Sequence, residues 1–139
     1  MKLITQKICM AKDLGIHNNL FGGNMLAWID EAAASMAADV CNTPNMVTVK
    51  IDEVVFNRPV KLGYQILIYG DVQQIGNTSI TMLIEARKRN FYGGEEIVVC
   101  TTNITFVRID DEGNPVPIAL EVKERYAALI EKKCINVLH

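Results

Sequence analysis

The chain has 139 residues, of which 50% are hydrophobic and 22% are charged, and its formal net charge is −2. That length and composition fit one folded domain over residues 1–139 and exclude a disordered chain. Because the net charge is small and no apolar stretch reaches the roughly 18 residues of a membrane span, we expect no nucleic-acid partner and no membrane insertion.

The first half of the chain is predicted to contain a short strand and a long helix. Residues 3–10 have the pattern of a strand, and residues 13–23 form a loop rich in Gly and Asn. The next segment, residues 24–40, is apolar nearly all round, as expected for a helix buried on most sides. Asn42, Thr43 and Pro44 end this helix.

After Pro44 the apolar period changes from helical to alternating, which predicts four antiparallel strands. The first begins at Val47, and a slip in its apolar phase predicts a bulge near Glu53. Gly76-Asn77 and residues 92–94 lie between later strands, where tight hairpins favour residues that tolerate positive φ. The later strands cover residues 64–75, 78–89 and 96–109. Each has one predicted apolar row, and these rows are Tyr64, Ile66, Ile68 and Val72; Ile80, Met82, Ile84 and Ala86; and Val98, Cys100, Ile104 and Phe106.

The last element is a charged amphipathic helix over residues 119–133, after a turn at residues 110–115. Lys132 and Lys133 would lie near its C-terminal end, where cations interact favourably with the helix dipole. The order is strand, long helix, four strands and short helix, which predicts an α+β domain in which one helix packs on one sheet.

The four cysteines have none of the spacings of zinc or redox motifs. Each lies in an apolar or mixed segment, where a reduced thiol packs as a small hydrophobe. The N-terminal residues also lack the apolar run of a secretory signal. These features predict free thiols in a cytoplasmic protein. The cysteines are Cys9, Cys41, Cys100 and Cys134.

Asp30 is the unusual residue of the long helix. Its neighbours three and four positions away are Leu or Ala, so its carboxylate lies on an apolar face. An unpaired charge there costs several kcal/mol or shifts the pKa, which suggests a use in chemistry. The alternative is that Asp30 or Glu31 reaches water at the domain edge or is neutralised by Arg58 or Lys50.

Gly22 and Gly23 stand at the entrance of the same helix. The first amides of a helix have no intrahelical acceptor and lie at the positive end of its dipole. Glycine lets a substrate approach them closely, and such amides can hold a developing oxyanion. An ordinary tight turn is the alternative interpretation of the pair.

The stretch NNLFGGNMLAWIDEA, residues 18–32, resembles the signature of the hotdog-fold acyl-CoA thioesterases of the acyl-CoA hydrolase family. The resemblance continues in order through residues 47–49, 55–60, Gly63, 76–79 and 106–107. It extends over roughly residues 15–118. It implies hydrolysis of acyl-CoA to a free carboxylic acid and CoA.

The resemblance also implies an architecture and an assembly. A long central helix is wrapped by a curved antiparallel sheet of about five strands, followed here by a short C-terminal helix. Two subunits form a homodimer with two active sites, and many relatives assemble further as trimers of dimers. The CoA thioester is the substrate, and neither a cofactor nor a metal is required.

The family's functional residues carry over to matching positions of this chain. Asp30 corresponds to the acid that acts as base or nucleophile, and Gly22 and Gly23 to the oxyanion-binding turn. Asn19 corresponds to a loop residue that comes from the facing subunit in several members and holds the water or the carbonyl. Many relatives have Gly where this chain has Asn18, but Asn tolerates the left-handed region that the turn requires.

Other residues are candidates for contacts with CoA. Thr48, Asn77, Thr78 and Ser79 offer hydrogen bonds around the pantetheine or the phosphates. Arg58, Arg87 and Arg89 are candidates for the nucleotide's phosphates, although exposed cations are common on any protein surface.

Two alternative functions remain at this point. His17 before a helix acid could form the His–carboxylate pair of a hotdog dehydratase, but that enzyme is expected to have a His-Phe-Pro type of turn. A plain loop histidine is the simpler interpretation. An acyl-CoA sensor or carrier would have the same pocket without a functional acid, and Asp30 argues against it. Glu31 is interpreted as structural or supporting, since it points away from Asp30 by about a quarter turn.

Overall fold

The computed structural model describes residues 1–138, with side chains up to residue 129. Its elements follow the predicted order of strand, long helix, four strands and C-terminal helix. They are β1 (Lys2–Ile8), a 3₁₀ turn (Ala11–Asp13), α1 (Gly22–Cys41), β2 (Met46–Ile51), β3 (Gln65–Ile75), β4 (Ser79–Arg89), β5 (Ile97–Arg108) and α2 (Leu120–Leu138).

The five strands form one antiparallel sheet in the order β1-β3-β4-β5-β2. Helix α1 contacts every strand of this sheet. Its buried face, which includes Met25, Ile29 and Ala33, packs against the apolar rows of the strands. The α+β architecture, with one long helix on one curved sheet, is therefore confirmed.

Small residues let the helix lie close to the sheet. A Cβ atom on Gly70 of β3 would lie 2.8 Å from Met36 Sδ and 2.6 Å from Ile4 Cδ1, so no larger residue fits without movement. The predicted inward row of β4 is confirmed, because all four of its side chains are at most 1% exposed. These residues are Ile80, Met82, Ile84 and Ala86.

The bulges differ from the prediction. The register of β2 shifts between Thr48 and Lys50, and the strand ends at Ile51, so a bulge near Glu53 is wrong. Residues 52–60 leave the sheet as an irregular segment. In β5 the register shifts opposite Ala86, so Val99 is 1% exposed whereas Val98 is 39% exposed. Placing Val98 in the buried row was wrong because a bulge reverses the alternation at that point.

The turns and helix ends also refine the prediction. Helix α1 begins at Gly22, two residues earlier than expected, so both glycines belong to its first turn. Asn18 has a φ of 60°, which confirms that this turn uses the left-handed region. Gly93 has a φ of 83°, but the Gly76-Asn77 turn has no positive φ. It closes through the Gly76 N–H, which donates to Ser79 O at 2.8 Å.

Three cysteines, Cys9, Cys41 and Cys100, are free and buried, as predicted. Burial raises the pKa of each thiol. The side chains of Cys134, Lys132 and Lys133 lie outside the described residues. Within the described part of the chain, no helix is long and apolar enough to cross a membrane.

Candidate active site

The first turn of α1 carries two adjacent amides without an acceptor. The residue that precedes the helix, Phe21, is extended and makes no side-chain cap. The amides of Asn24 and Met25 both donate to Phe21 O, at 3.0 and 3.2 Å. Neither Gly22 N–H nor Gly23 N–H has an acceptor among residues 1–138. Two donors at the positive end of the dipole are therefore available to an anion.

Aromatic rings press against both glycines. A Cβ atom on Gly22 would lie 3.2 Å from Phe56 Cε2, and one on Gly23 would lie 3.0 Å from Phe21 Cε1. Phe56 belongs to the 52–60 segment, which is tied to the bulge of β5 by the Asn57 N–H donating to Val99 O at 2.9 Å. The segment thus forms a wall beside the glycine turn.

A cavity of about 300 Å³ lies between this wall and the turn. Asn19 faces it, and the side-chain oxygen Oδ1 of Asn19 is buried without a hydrogen-bond partner in the described part of the chain. Such an unmet acceptor is costly unless a water or ligand donates to it. The lining residues are Asn19, Leu20, Gly22, Met25, Phe56, Arg58, Pro59, Val60 and Val99.

A second, larger cavity of about 660 Å³ is lined by the loop that precedes α1, from Leu14 to Phe21, and by Gly22. Asn19, Leu20 and Gly22 line both cavities. His17 is exposed in the second cavity, and no hydrogen bond joins it to Asp30 within the chain as described. The His–carboxylate pair of a dehydratase is therefore not present within one copy.

Asp30 is half-buried and has a specific partner. The hydroxyl of Thr48 on β2 donates to Asp30 Oδ1 at 2.8 Å. Neutralisation by Lys50 is not observed, because Lys50 pairs with Asp52 at 3.1 Å, and Arg58 lines the first cavity instead. Glu31, the next residue, is exposed. The structure thus holds one acid of this pair in a defined orientation.

Asp30 and the glycine amides are not brought together within one chain. Gly22 and Asp30 are eight residues apart on the same helix. At about 1.5 Å per residue, that spacing corresponds to roughly 12 Å along the helix axis. One thioester group cannot touch both in a single copy.

Asn77, Thr78 and Ser79 are placed at a turn beneath α2. Asn77 Oδ1 accepts a hydrogen bond from Lys123 Nζ at 3.0 Å, and Thr78 O accepts one from the Arg108 N–H at 2.9 Å. None of the three residues lines the cavity beside the glycine turn.

The two arginines of β4 are occupied on the polar face of the sheet. Arg87 is paired with Glu85 at 2.5 Å and lies 4.1 Å from the centre of the Tyr69 ring. The hydrogen bond to Glu85 raises the pKa of Arg87. Arg89 donates two hydrogen bonds to Gln65 Oε1, at 3.1 and 2.9 Å. Neither arginine lines the first cavity, whereas Arg58 does.

Residues that sequence reasoning missed anchor the loop before α1. Asp13 O accepts hydrogen bonds from the Phe21 N–H at 2.9 Å and from Asn24 Nδ2 at 3.0 Å. Asp13 is 9% exposed, and its carboxylate accepts the Met10 N–H at 2.9 Å. Asp13 is an acidic residue five positions after β1, which is a weak signal for a buried anchor. Among the described residues no group of three His, Cys, Asp or Glu is arranged to hold a metal ion.

Comparison with known proteins agrees with the fold. A thioesterase superfamily model matches residues 17–90. The hexameric hotdog fold thioesterase Cj0915 of Campylobacter jejuni is 32% identical, with a TM-score of 0.81 over 91% of this chain and 97% of that one. An acyl-CoA hydrolase of Staphylococcus aureus, solved with butyryl coenzyme A, is 26% identical, with a TM-score of 0.76 over 96% and 92% of the two chains.

A sequence relative is YkhA of Bacillus subtilis, named an uncharacterized acyl-CoA thioester hydrolase. It is 32% identical over 112 residues, which are 81% of this chain and 64% of YkhA. The chain thus spans somewhat less than two thirds of that relative. The fold and these comparisons define a hotdog thioesterase domain. The chain belongs to the thioesterase superfamily, which confirms the resemblance seen in residues 18–32.

Proposed function

We propose that this protein hydrolyses acyl-CoA thioesters to a free carboxylic acid and CoA. The observation that carries the proposal is the pairing of functions on α1: two unpaired amides at Gly22 and Gly23, and a half-buried acid at Asp30 held by Thr48. Membership of the thioesterase superfamily and similarity to acyl-CoA hydrolases support the substrate class.

The chemistry follows from these two parts. As general base, Asp30 takes a proton from a water whose oxygen attacks the thioester carbonyl carbon. The amides hold the oxyanion that forms, and the C–S bond then breaks as the CoA thiolate leaves and is protonated. As nucleophile, Asp30 would instead attack the carbonyl carbon and expel the CoA thiolate, and water would then cleave the resulting anhydride into the free acid and the Asp30 carboxylate. A positioned base contributes about two to four powers of ten in rate, and an oxyanion donor about two to three.

We infer that each active site is shared between two copies of the chain. The roughly 12 Å axial spacing of Gly22 and Asp30 is too long for both to contact one thioester. Two-fold pairing would present the acid of one copy to the amides of the other, twice per dimer. The hexameric assembly of Cj0915 is compatible with a trimer of such dimers.

Asn19 and Arg58 are proposed as substrate contacts at the cavity beside the turn. The unmet Oδ1 acceptor of Asn19 suits the attacking water or a pantetheine N–H. Arg58 is exposed at the same cavity and suits a phosphate of CoA. Thr48 is proposed to orient Asp30. Contacts from Asn77, Thr78, Ser79, Arg87 and Arg89 remain predictions.

The test is the release of free thiol from acyl-CoA esters of increasing chain length. Asp30→Asn should lower turnover by about two to four powers of ten, since it removes the base while keeping the size of the side chain. Glu31→Gln, the matched control on the exposed neighbour, should leave turnover nearly unchanged. Equal turnover in Asp30→Asn and the unmodified protein would contradict the assignment of the acid. Tight binding without thiol release would favour an acyl-CoA sensor.

We also propose a cytoplasmic location. Its support is that Cys9, Cys41 and Cys100 are unpaired and buried, as is usual where the compartment keeps thiols reduced.

A further inference from the structure

We propose that Asn24 is a positioning residue for the reaction: it holds the glycine turn in place while leaving the amides of Gly22 and Gly23 unoccupied. This inference rests on the proposed function, in which those amides bind the oxyanion. It assigns a task to a residue that touches neither Asp30 nor the described cavities.

The start of α1 lacks the usual way of fixing a helix end. Most helices begin with Ser, Thr, Asp or Asn, whose side chain accepts the amide of the second or third helical residue. Phe21 stands at this position and has no polar side chain. A conventional cap that accepted the Gly23 amide would take one of the two donors that the oxyanion needs. The chain therefore requires an anchor that does not use these amides.

Asn24 meets this requirement from inside the first turn. Its side-chain Nδ2 donates to Asp13 O at 3.0 Å, while its own amide is already bonded to Phe21 O. Asp13 O also accepts the Phe21 N–H, at 2.9 Å. The residues on both sides of the Gly22-Gly23 pair are thus bonded to one carbonyl oxygen, and neither bond involves a glycine amide.

The anchor itself is fixed. Asp13 is buried, and its carboxylate accepts the Met10 N–H just after β1. The two hydrogen bonds to Asp13 O matter because two consecutive glycines have more backbone freedom than any other pair. Misplacement of oxyanion donors by a fraction of an ångström weakens a stabilisation that depends on their geometry. Asn24 therefore acts on the rate through Gly22 and Gly23.

The informative variant is Asn24→Ala. It deletes the donor but raises helix propensity, so a loss of turnover cannot come from a weaker helix. We expect kcat to fall about fivefold to tenfold, which corresponds to the loss of one hydrogen bond that positions the donors, with KM changed less than about twofold. Asn24→Gln, which keeps the carboxamide, should recover much of the rate. Ser35→Gly is the matched control, because it loosens the same helix about three turns further along.

A second measurement does not need turnover. Amide hydrogen exchange at Phe21 and Met25, whose N–H groups donate to Asp13 O and to Phe21 O, should be faster in Asn24→Ala than in the unmodified protein and unchanged in Ser35→Gly. An active protein whose kcat is the same with Asn24→Ala, or whose Phe21 and Met25 amides exchange at the same rate, overturns this inference and leaves the proposed function intact. Absence of thiol release from the unmodified protein overturns the proposed function, and this inference with it.

Discussion

The two ends of α1 differ in capping, because the C-terminal end is capped and the N-terminal end is not. At the C-terminal end, Asn42 adopts the left-handed conformation with a φ of 55°, and its N–H bonds to Ala38 O. The Thr43 N–H donates to the same carbonyl at 3.1 Å. At the N-terminal end, Phe21 provides no cap and two amides are left without an acceptor. One end is closed for stability, and the other is kept open at a cost typical of a missing cap, about 1 kcal/mol.

Among changes at the two ends of α1, removing one donor from the open end should have the largest effect. Gly22→Pro deletes the amide hydrogen where the backbone permits it, because proline suits the first helical position and Phe21, with φ −66° and ψ 131°, has the conformation that precedes proline. We expect kcat to fall about 100-fold to 1,000-fold. The measurement is thiol release at saturating acyl-CoA.

Gly22→Ala is the matched control for this change. It introduces the same Cβ contact with Phe56 Cε2 at 3.2 Å but keeps the N–H. It should retain most of the turnover, since the exposed Phe56 ring can move by the small distance required. If Ala and Pro were equally harmful, crowding against Phe56 would explain the loss and the amide would have no role.

Mixing subunits tests whether the glycine amides of one copy and Asp30 of another copy form one active site. Asp30→Asn and Gly22→Pro are each expected to be nearly inactive alone. Co-expressed in equal amounts, they should recover about a quarter of the unmodified activity, because half of the random dimers are mixed and one of the two sites in each is intact. Thiol release by the purified mixture measures this recovery. If the mixture showed no more activity than the two variants alone, a site shared between subunits would be contradicted.

Changes at the closed end should affect stability alone and have the smallest effect. Asn42→Ala removes the short polar side chain that lets Asn tolerate the left-handed region, and it should lower the free energy of unfolding by about 1 kcal/mol. Asn42→Gly adopts this conformation freely and should be close to neutral. Urea denaturation at one fixed protein concentration measures both variants. Turnover should be unchanged in both, and a kcat loss here would remove the functional distinction between the two ends.

Local rules predicted much of the candidate site. The glycine pair before an apolar helix, and an acid two turns later, pointed to Gly22, Gly23 and Asp30 from neighbouring residues alone. They missed Asp13 and Asn24, whose hydrogen bond spans 11 residues of a loop. The sequence alone does not distinguish a polar side chain that faces solvent from one that donates to a buried carbonyl.

The partners of the two β4 arginines could not be predicted from neighbouring residues either. Nothing in the sequence shows that Arg87 and Arg89 have partners. In the folded sheet, Arg87 forms ion pairs with Glu85 and Glu96. Arg89 donates to Gln65 on the neighbouring strand β3. Cross-strand neighbours depend on register, and register depends on bulges such as the one at Val99. Arg58, in contrast, belongs to an irregular segment and remains at the cavity.

The sequence by itself determined the order of the elements, the buried face of β4, and the helical spacing of Asp30 from the glycine pair. These follow from hydrophobic period and turn chemistry, which are properties of neighbouring residues. Only the tertiary structure decided that the Thr48 hydroxyl donates to Asp30 across 18 residues, and that residues 52–60 leave the sheet. Those outcomes depend on strand register, which no local pattern specifies.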